Sequence, residues 1–327
     1  MARIERRGFR RVGIAEGAGE ISTNILSVTV ARRYYLDGLT KSEIADELGI
    51  SRFRVARILE KALADGLVKI VFRYPQGDID FELSAQLQAR LGLKRAVVVA
   101  DETSVDAVVN SLGRAAAGLL QEICEERDVL GVAWTRAMEA VSVHLTEVKA
   151  QMVVQLCGVF PGAGTSRTPI DLVRDMARLS EGKAAMYYAP LIASDKPAAD
   201  AIRRQKDVLG AHSMHAQVTK ALIGIGGWAQ DQSTIWHAVS DDVRESVAAA
   251  GAVAEMCGGI YLDRTGKVLH TDATELSIGI SAGDLRAIPE TIGIVFGVEK
   301  RDAVLAAVRG GFVDTLVTHA SLAALLI

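Results

Sequence analysis

The chain has 327 residues, half of them hydrophobic and only 5% aromatic, and a formal net charge of −3. Its length suggests two domains, and its three scattered cysteines, Cys124, Cys157 and Cys257, make neither a disulfide framework nor a zinc spacing. The start lacks the apolar stretch of a secretory signal and no uncharged apolar run is long enough to span a membrane, so a cytoplasmic protein without metal or cofactor is expected.

Charge is unevenly spread. Residues 1–75 hold 14 Lys/Arg against 9 Asp/Glu, a net of +5, while residues 76–327 hold 23 against 31, a net of −8. A basic head on an acidic body places any nucleic-acid contact at the head.

Residues 1–21 carry Arg3, Arg6, Arg7, Arg10 and Arg11 and read as a mobile basic tail. A first helix follows from Thr23 to Asp37, closed by Gly38. Thr40 caps a second helix and Glu43 completes the capping box, with Leu39 and Ile44 stapling its entry. That helix ends at Leu48, where Gly49 tolerates the left-handed conformation. Ser51 caps a third helix whose Val55, Ile58, Leu59 and Ala62 form one apolar stripe. Arg52, Arg54, Arg57 and Lys61 occupy its other side. Two capped helices joined at a glycine, the second basic, make a helix-turn-helix. Gly66 stops the helix, and Leu67 to Phe72 reads as the strand of a wing. A winged DNA-binding domain is thus expected over 22–74, touching double-stranded DNA through Thr40, Lys41, Ser51, Arg52, Arg54, Arg57 and Lys61.

Tyr74-Pro75-Gln76-Gly77 breaks the chain, and a helix from about Asp80 carries Leu83, Leu87 and Leu91, giving a linker and connecting helix over 75–93. From Lys94 onward, short apolar runs alternate with helical segments: Ala96–Ala100, Val129–Ala133, Met152–Leu156, Ala184–Tyr188, Ala221–Ile225, Ile292–Phe296 and Leu316–Thr318. This predicts a Rossmann-like, mostly parallel α/β domain over 94–327, covered on both faces. Gly259 to Leu269 reads instead as a hairpin turning at Asp263-Arg264-Thr265-Gly266.

Ligands of such sheets sit beyond the carboxyl ends of the strands. The candidates there are Thr135, Arg136, Gly158, Gly224, Gly226 and Lys300. Thr135 opens a helix, Arg136 suits an anion, and Lys300 sets an ammonium at a helix start. Gly224-Ile225-Gly226-Gly227 lacks the spacing of a dinucleotide fingerprint.

The segment YYLDGLTKSEIADELGISRFRVARILEKALADGLVKI (34–70) resembles the SorC/DeoR-type sugar-binding transcriptional regulators. So do VVQLCG, YYAPLIA, LIGIGG, AGAVAEMCGGIYLDRTGKV, IGIS, LRAIP and AAVRGGFVDTLVTHASLAALL, in one order to the C-terminus. The resemblance implies a winged helix-turn-helix head and an effector domain similar to the glucosamine-6-phosphate deaminase and ribose-phosphate isomerase fold. It further implies a sugar, polyol or sugar-phosphate effector and a dimeric or tetrameric assembly. The family's loop after the first long strand, Gly-x-x-x-Gly-x-Thr-like, is here Gly131-Val132-Ala133-Trp134-Thr135-Arg136, and its Asn-Gly-Gly is Cys157-Gly158-Val159. Its Gly-Gly-x-x-Lys is Gly297-Val298-Glu299-Lys300, where the lysine matches and one glycine does not. The family's acidic or amide pair on the loop after the hairpin becomes His270, Thr274 and Glu275, so the resemblance adds His270 and Glu275 to the expected effector contacts. These departures leave both a phosphorylated and a neutral effector open.

The expected function is DNA-binding regulation of a carbohydrate catabolic operon, not catalysis. The alternative is a sugar-phosphate isomerase or deaminase with a fused head, which needs an acid/base pair beside the substrate carbons. Only His270, close to Glu275, falls near the expected ligand loops.

Overall fold

The computed structural model describes residues 20–69, 79–160 and 168–327. They fall into two compact units, 20–69 and 79–327. The linker at 74–77 and nearly all of the expected tail lie outside the described residues. Of the expected wing only Leu67, Val68 and Lys69 are described, without strand structure.

The first unit is three helices: α1 (Glu20–Tyr35), α2 (Lys41–Leu48) and α3 (Arg52–Ala64). The Thr40 hydroxyl accepts the Glu43 N–H at 3.2 Å, and the Thr40 N–H donates to Glu43 Oε2 at 2.9 Å. Gly49 ends α2 at φ 65°. The Ser51 hydroxyl accepts the Arg54 N–H at 3.2 Å, which fixes the start of α3. Val30, Ala31, Ile44, Ala45, Val55 and Leu59 pack as the core. The spacing of Ile25, Val28, Ala31, Arg32 and Tyr35 suggests one inward face of α1; of these only Ala31 is buried, and Leu26, Val30 and Tyr34 turn inward with it.

The second unit holds two sheets. Its strands are β1 (Arg95–Val99), β2 (Val129–Val132), β3 (Met152–Gln155), β4 (Lys183–Ala185), β5 (Lys220–Gly224), β6 (Gly226–Gly227), β7 (Ala254–Met256), β8 (Ile260–Leu262), β9 (Val268–Leu269), β10 (Glu290–Ile294) and β11 (Thr315–His319). The larger sheet runs β1-β11-β10-β5-β2-β3-β4, parallel throughout. Each of its seven strands grows from one of the seven apolar runs of the sequence. The smaller sheet, β6-β7-β8-β9, is antiparallel and contains the expected hairpin as β8 and β9.

Helices α4 (Phe81–Leu91), α5 (Val105–Ile123), α6 (Arg136–His144), α7 (Pro169–Leu179), α8 (Lys196–Arg203) and α9 (Lys206–His212) precede β5. After it come α10 (Asp241–Ala249), α11 (Asp272–Leu276), α12 (Ala282–Ala287), α13 (Arg301–Arg309) and α14 (Ala320–Leu326). Alternate residues of each central strand enter different cores. Val153, Leu222 and Val317 pack with α5, α6 and α7, whereas Val154, Ile223 and Leu316 pack with α13 and the small sheet. Burial on both faces is why these strands read as unbroken apolar runs. The connecting helix α4 lies on β1 and α14. Leu87 is its fully buried anchor, and the Val98 N–H donates to Ser84 Oγ at 2.9 Å.

Charges stitch the edge where the strands begin. Glu290, at the start of β10, accepts Lys94 Nζ at 2.6 Å and Thr315 Oγ1 at 2.9 Å and pairs also with Arg95. Asp128, just before β2, holds Lys220 at 2.5 Å and Thr219 at 2.7 Å. Burial alone would raise the Glu290 carboxyl, but the bonds from Lys94 and Thr315 and the charge of Arg95 hold it below its ordinary range. Its contribution to stability is therefore present above the unfolded carboxyl's pKa and lost as pH falls through the lower, folded one. Glu290→Gln removes the charge and is expected to cost about 2 kcal/mol at pH 7. In urea melts, the gap between wild type and variant should narrow toward pH 3; a gap independent of pH would remove the carboxylate's role.

Candidate effector cavity and DNA-binding face

At the opposite edge, where the strands end, a cavity of about 460 Å³ opens, a size suited to a small organic ligand. Six of the eight expected effector residues line it: Thr135, Arg136, Gly158, Gly224, Gly226 and Lys300. His270 and Glu275 do not. Glu275 instead faces Lys196 at 3.4 Å, and its helix α11 packs on α8 and α10. The reason is topological: α11 follows β9, the edge of the small sheet, so it does not share the carboxyl ends of the parallel strands.

One wall is cationic. Lys300 closes the single turn Val298–Lys300 after β10, with Nζ 4.3 Å from the centre of the Phe296 ring. The Arg136 guanidinium, at the first residue of α6, stands 4.9 Å from the same ring. The Lys300 side chain is buried, and this lowers its pKa from the ordinary 10.5 to about 8; Glu299 and Glu255 oppose the shift and Arg136 adds to it. Two cations meet over one ring, with desolvation working against the charge of the more buried one.

His237 and Asp231, 3.4 Å apart, also line the cavity, and a further polar feature is a buried acid that sequence reasoning missed. Glu255, in the middle of β7, is buried and accepts the Ser233 hydroxyl at 2.9 Å and the Gly258 N–H at 2.7 Å. Burial raises its carboxyl, against those two bonds and the charge of Lys300. Its signal was an acidic residue inside an otherwise apolar strand, Ala254-Glu255-Met256, where all three positions are buried. Phe296 was also missed as a site residue, since its ring reads as the last apolar position of a strand.

The glycines serve close approach. A Cβ on Gly224 would strike the Thr135 methyl, and one on Gly158 would lie 2.5 Å from the Pro190 carbonyl oxygen. The Gly158 N–H is already taken by the Ile278 carbonyl at 2.8 Å, so it is not a free donor for a ligand. Thr135 stands at the start of α6, but its hydroxyl makes no capping bond. Its Oγ1 is buried without a hydrogen-bond partner among the described residues, a polar atom that a ligand would satisfy. The two cavity cysteines are poor nucleophiles: burial pushes the Cys157 thiol up to about 11 and the Cys257 thiol well above its ordinary value. Among the described residues no three His, Cys, Asp or Glu side chains gather as metal ligands.

In the first unit, Ser51, Arg52, Arg54, Arg57 and Lys61 are exposed along α3. Arg52, Arg54 and Arg57 form no ion pair with any described residue, and the Arg52 guanidinium stands 5.4 Å from the centre of the Phe53 ring. The Thr40 hydroxyl is engaged with Glu43, and Lys41 Nζ lies 5.8 Å from the centre of the Tyr34 ring.

A helix-turn-helix with a basic second helix, joined in one chain to an α/β unit with a charged cavity, defines a ligand-responsive transcriptional regulator. The family model described as "Putative sugar-binding domain" matches residues 78–327, and that of sigma-70 region 4 matches residues 29–65. The sorbitol operon regulator of Klebsiella pneumoniae is 28% identical over 311 residues, covering 92% of this chain and 97% of that protein. The transcriptional regulator LsrR of an Enterobacter species is 29% identical over 300 residues, covering 90% of each. The crystal structure of the full-length Klebsiella pneumoniae regulator SorC superposes with a TM-score of 0.70 at 26% identity, over 95% of this chain and 99% of that one. The chain belongs to the sugar-binding transcriptional regulators of the SorC type. Among the described residues no helix is long and apolar enough to cross a membrane.

Lys300 carries a stability cost that follows from its lowered pKa. The penalty is full below the folded value of about 8 and vanishes above the unfolded value of 10.5. Lys300→Met is therefore expected to stabilise the protein at pH 7, by up to about 3 kcal/mol. The gain should shrink as pH rises from 8 to 10.5. A variant less stable than wild type at pH 7 would show that the ammonium is well solvated.

Proposed function

We propose that the protein is a cytoplasmic regulator of a carbohydrate catabolic operon. Its α3 helix binds operator DNA, and a sugar, polyol or sugar phosphate in the cavity sets that affinity. The observation that carries the reading is the cavity itself. It has two cations over Phe296, a buried acid at Glu255 and an unpartnered hydroxyl at Thr135, so it offers partners to an anionic group and to several hydroxyls together. The reading is non-catalytic because the relatives are named transcriptional regulators. Isomerisation or deamination needs a placed acid/base pair; His270 is outside the cavity, whereas His237 and Asp231, 3.4 Å apart, line it and are the pair that a turnover assay addresses. The active species is a homo-oligomer, a dimer or tetramer, whose paired heads engage an inverted repeat, since two-fold protein symmetry is mirrored in the operator.

Arg54→Ala and Arg57→Ala should each fold normally and weaken operator binding by about 1–3 kcal/mol at physiological salt. Wild-type affinity in either variant, measured by fluorescence anisotropy, removes that residue from the interface. A footprint covering one unrepeated half-site would count against paired heads.

The effector is sought by thermal shift against sugars, polyols and their phosphates. A ligand of the folded state at a hundred times its Kd adds about 2.7 kcal/mol of stability. Lys300→Ala should abolish the shift of a phosphorylated effector. Glu255→Gln should matter more for a neutral polyol, because it replaces one of the two acceptor oxygens of the carboxylate by an NH2 donor. Glu255 takes the place here that the sequence suggested for Glu275. A cognate ligand whose shift survives both variants binds elsewhere, and turnover of sugar phosphates by the purified protein would favour the enzyme reading.

A further inference from the structure

The outer face of α3 carries a residue that a solvated helix face does not explain. Phe53 is 75% exposed. It is the second residue of α3, after the Ser51 cap and Arg52. At 3.6 residues per turn, Phe53 and Arg57 fall opposite the stripe of Val55, Leu59 and Ala62 that faces the core. The ring thus adds nothing to the packing of the head and holds its apolar area in water. Its surroundings are cationic: the Arg52 guanidinium stands 5.4 Å from the ring centre. Arg54, Arg57 and Lys61 share with Phe53 a surface hollow between α1 and α3.

We propose that Phe53 reads sequence directly by packing on the 5-methyl group of a thymine in the major groove. The ring of cations selects a polyanion as the occupant of this face. In a helix-turn-helix the first residues of the second helix reach the base edges, and Phe53 is one of them. Phenylalanine has no hydrogen-bonding group, so it cannot read the donors and acceptors of the groove. The one apolar group that B-DNA displays there is the thymine methyl. Phe53 and Arg57, one turn apart, then read neighbouring base pairs by different means, one through an apolar contact and the other through a guanidinium fork. The inference rests on the DNA-binding reading of the head and goes beyond it, because it assigns one residue to one chemical group of one base.

The test uses full-length protein and a duplex it selects from a random pool. Each dT of the selected half-site is replaced in turn by dU, which deletes only the methyl, and affinity is read by fluorescence anisotropy at fixed salt. Wild type should lose about four-fold at one dT in each half-site, the worth of one buried methyl-sized group. Phe53→Ala should bind the dT duplex more weakly and be indifferent to dU at that same position, and Phe53→Leu should recover part of the difference. Because the ring is exposed, both variants should keep the wild-type circular dichroism and melting temperature.

The proposal is overturned if wild type binds every dU duplex as it binds dT, or if wild type and Phe53→Ala respond alike at the sensitive position. It is likewise overturned if Phe53→Ala alters the oligomeric state by light scattering while methyl sensitivity persists, for the ring then covers another copy of the chain. Failure to select any duplex would instead strike at DNA binding as a whole.

Discussion

The buried carboxylate of Glu290 is the tie on which the body depends. A parallel sheet brings all its strand starts to one edge, and adjacent strands there need a common anchor. Glu290 supplies it, gathering Lys94 and Arg95 at β1 and Thr315 at β11 around the start of β10. The Asp128 group does the same for β2 and β5. Five strands are thus held at the edge where they begin. At the edge where they end, Asp101 after β1 faces His319 at the end of β11 at 2.7 Å, while the ends of β2, β3, β5 and β10 lead into the loops that line the cavity.

The charges of that cavity work against stability. Lys300 is buried beside another cation, and Glu255 is buried with hydrogen bonds but no ion pair within salt-bridge distance among the described residues. Neither arrangement is what folding alone favours. Their coexistence in one cavity makes an electrically divided site, with two cations beside the Phe296 ring and a buried acid at Glu255.

Seven strands were legible in the sequence because burial on both faces gives continuous apolar runs between turns. The smaller sheet was not, apart from its hairpin, since strands of two or three residues carry no readable periodicity. Thr135, Arg136 and Lys300 could be placed because each follows a strand of the parallel sheet at a helix start. His270 and Glu275 do not line the cavity, because the family pattern that suggested them says nothing about which edge of which sheet the hairpin of this chain reaches. Glu255 stayed hidden because its worth lies in contacts with Ser233 and Gly258, the first of them 22 residues away. In the head the caps were local and readable. The buried face of α1 was not, because the α1 sequence carries apolar residues on two sides and only packing against α3 selects one.

The turn between β7 and β8 holds one of the non-glycine residues of positive φ among the described residues. Cys257 sits at φ 53° and Gly258 at φ 80°, and the Gly259 N–H closes back on the Met256 carbonyl at 3.3 Å. These are two successive residues of positive φ in the three-residue loop that joins Met256 to Ile260, a conformation in which glycine is at ease and cysteine is not. The strain places the Cys257 thiol in the cavity wall, and it brings the Gly258 N–H within 2.7 Å of the Glu255 carboxylate. A looser turn would fold more readily and leave the acid untethered. The hairpin thus acts as a fixture that aims a single carboxylate, and the chain tolerates an awkward backbone to keep that aim.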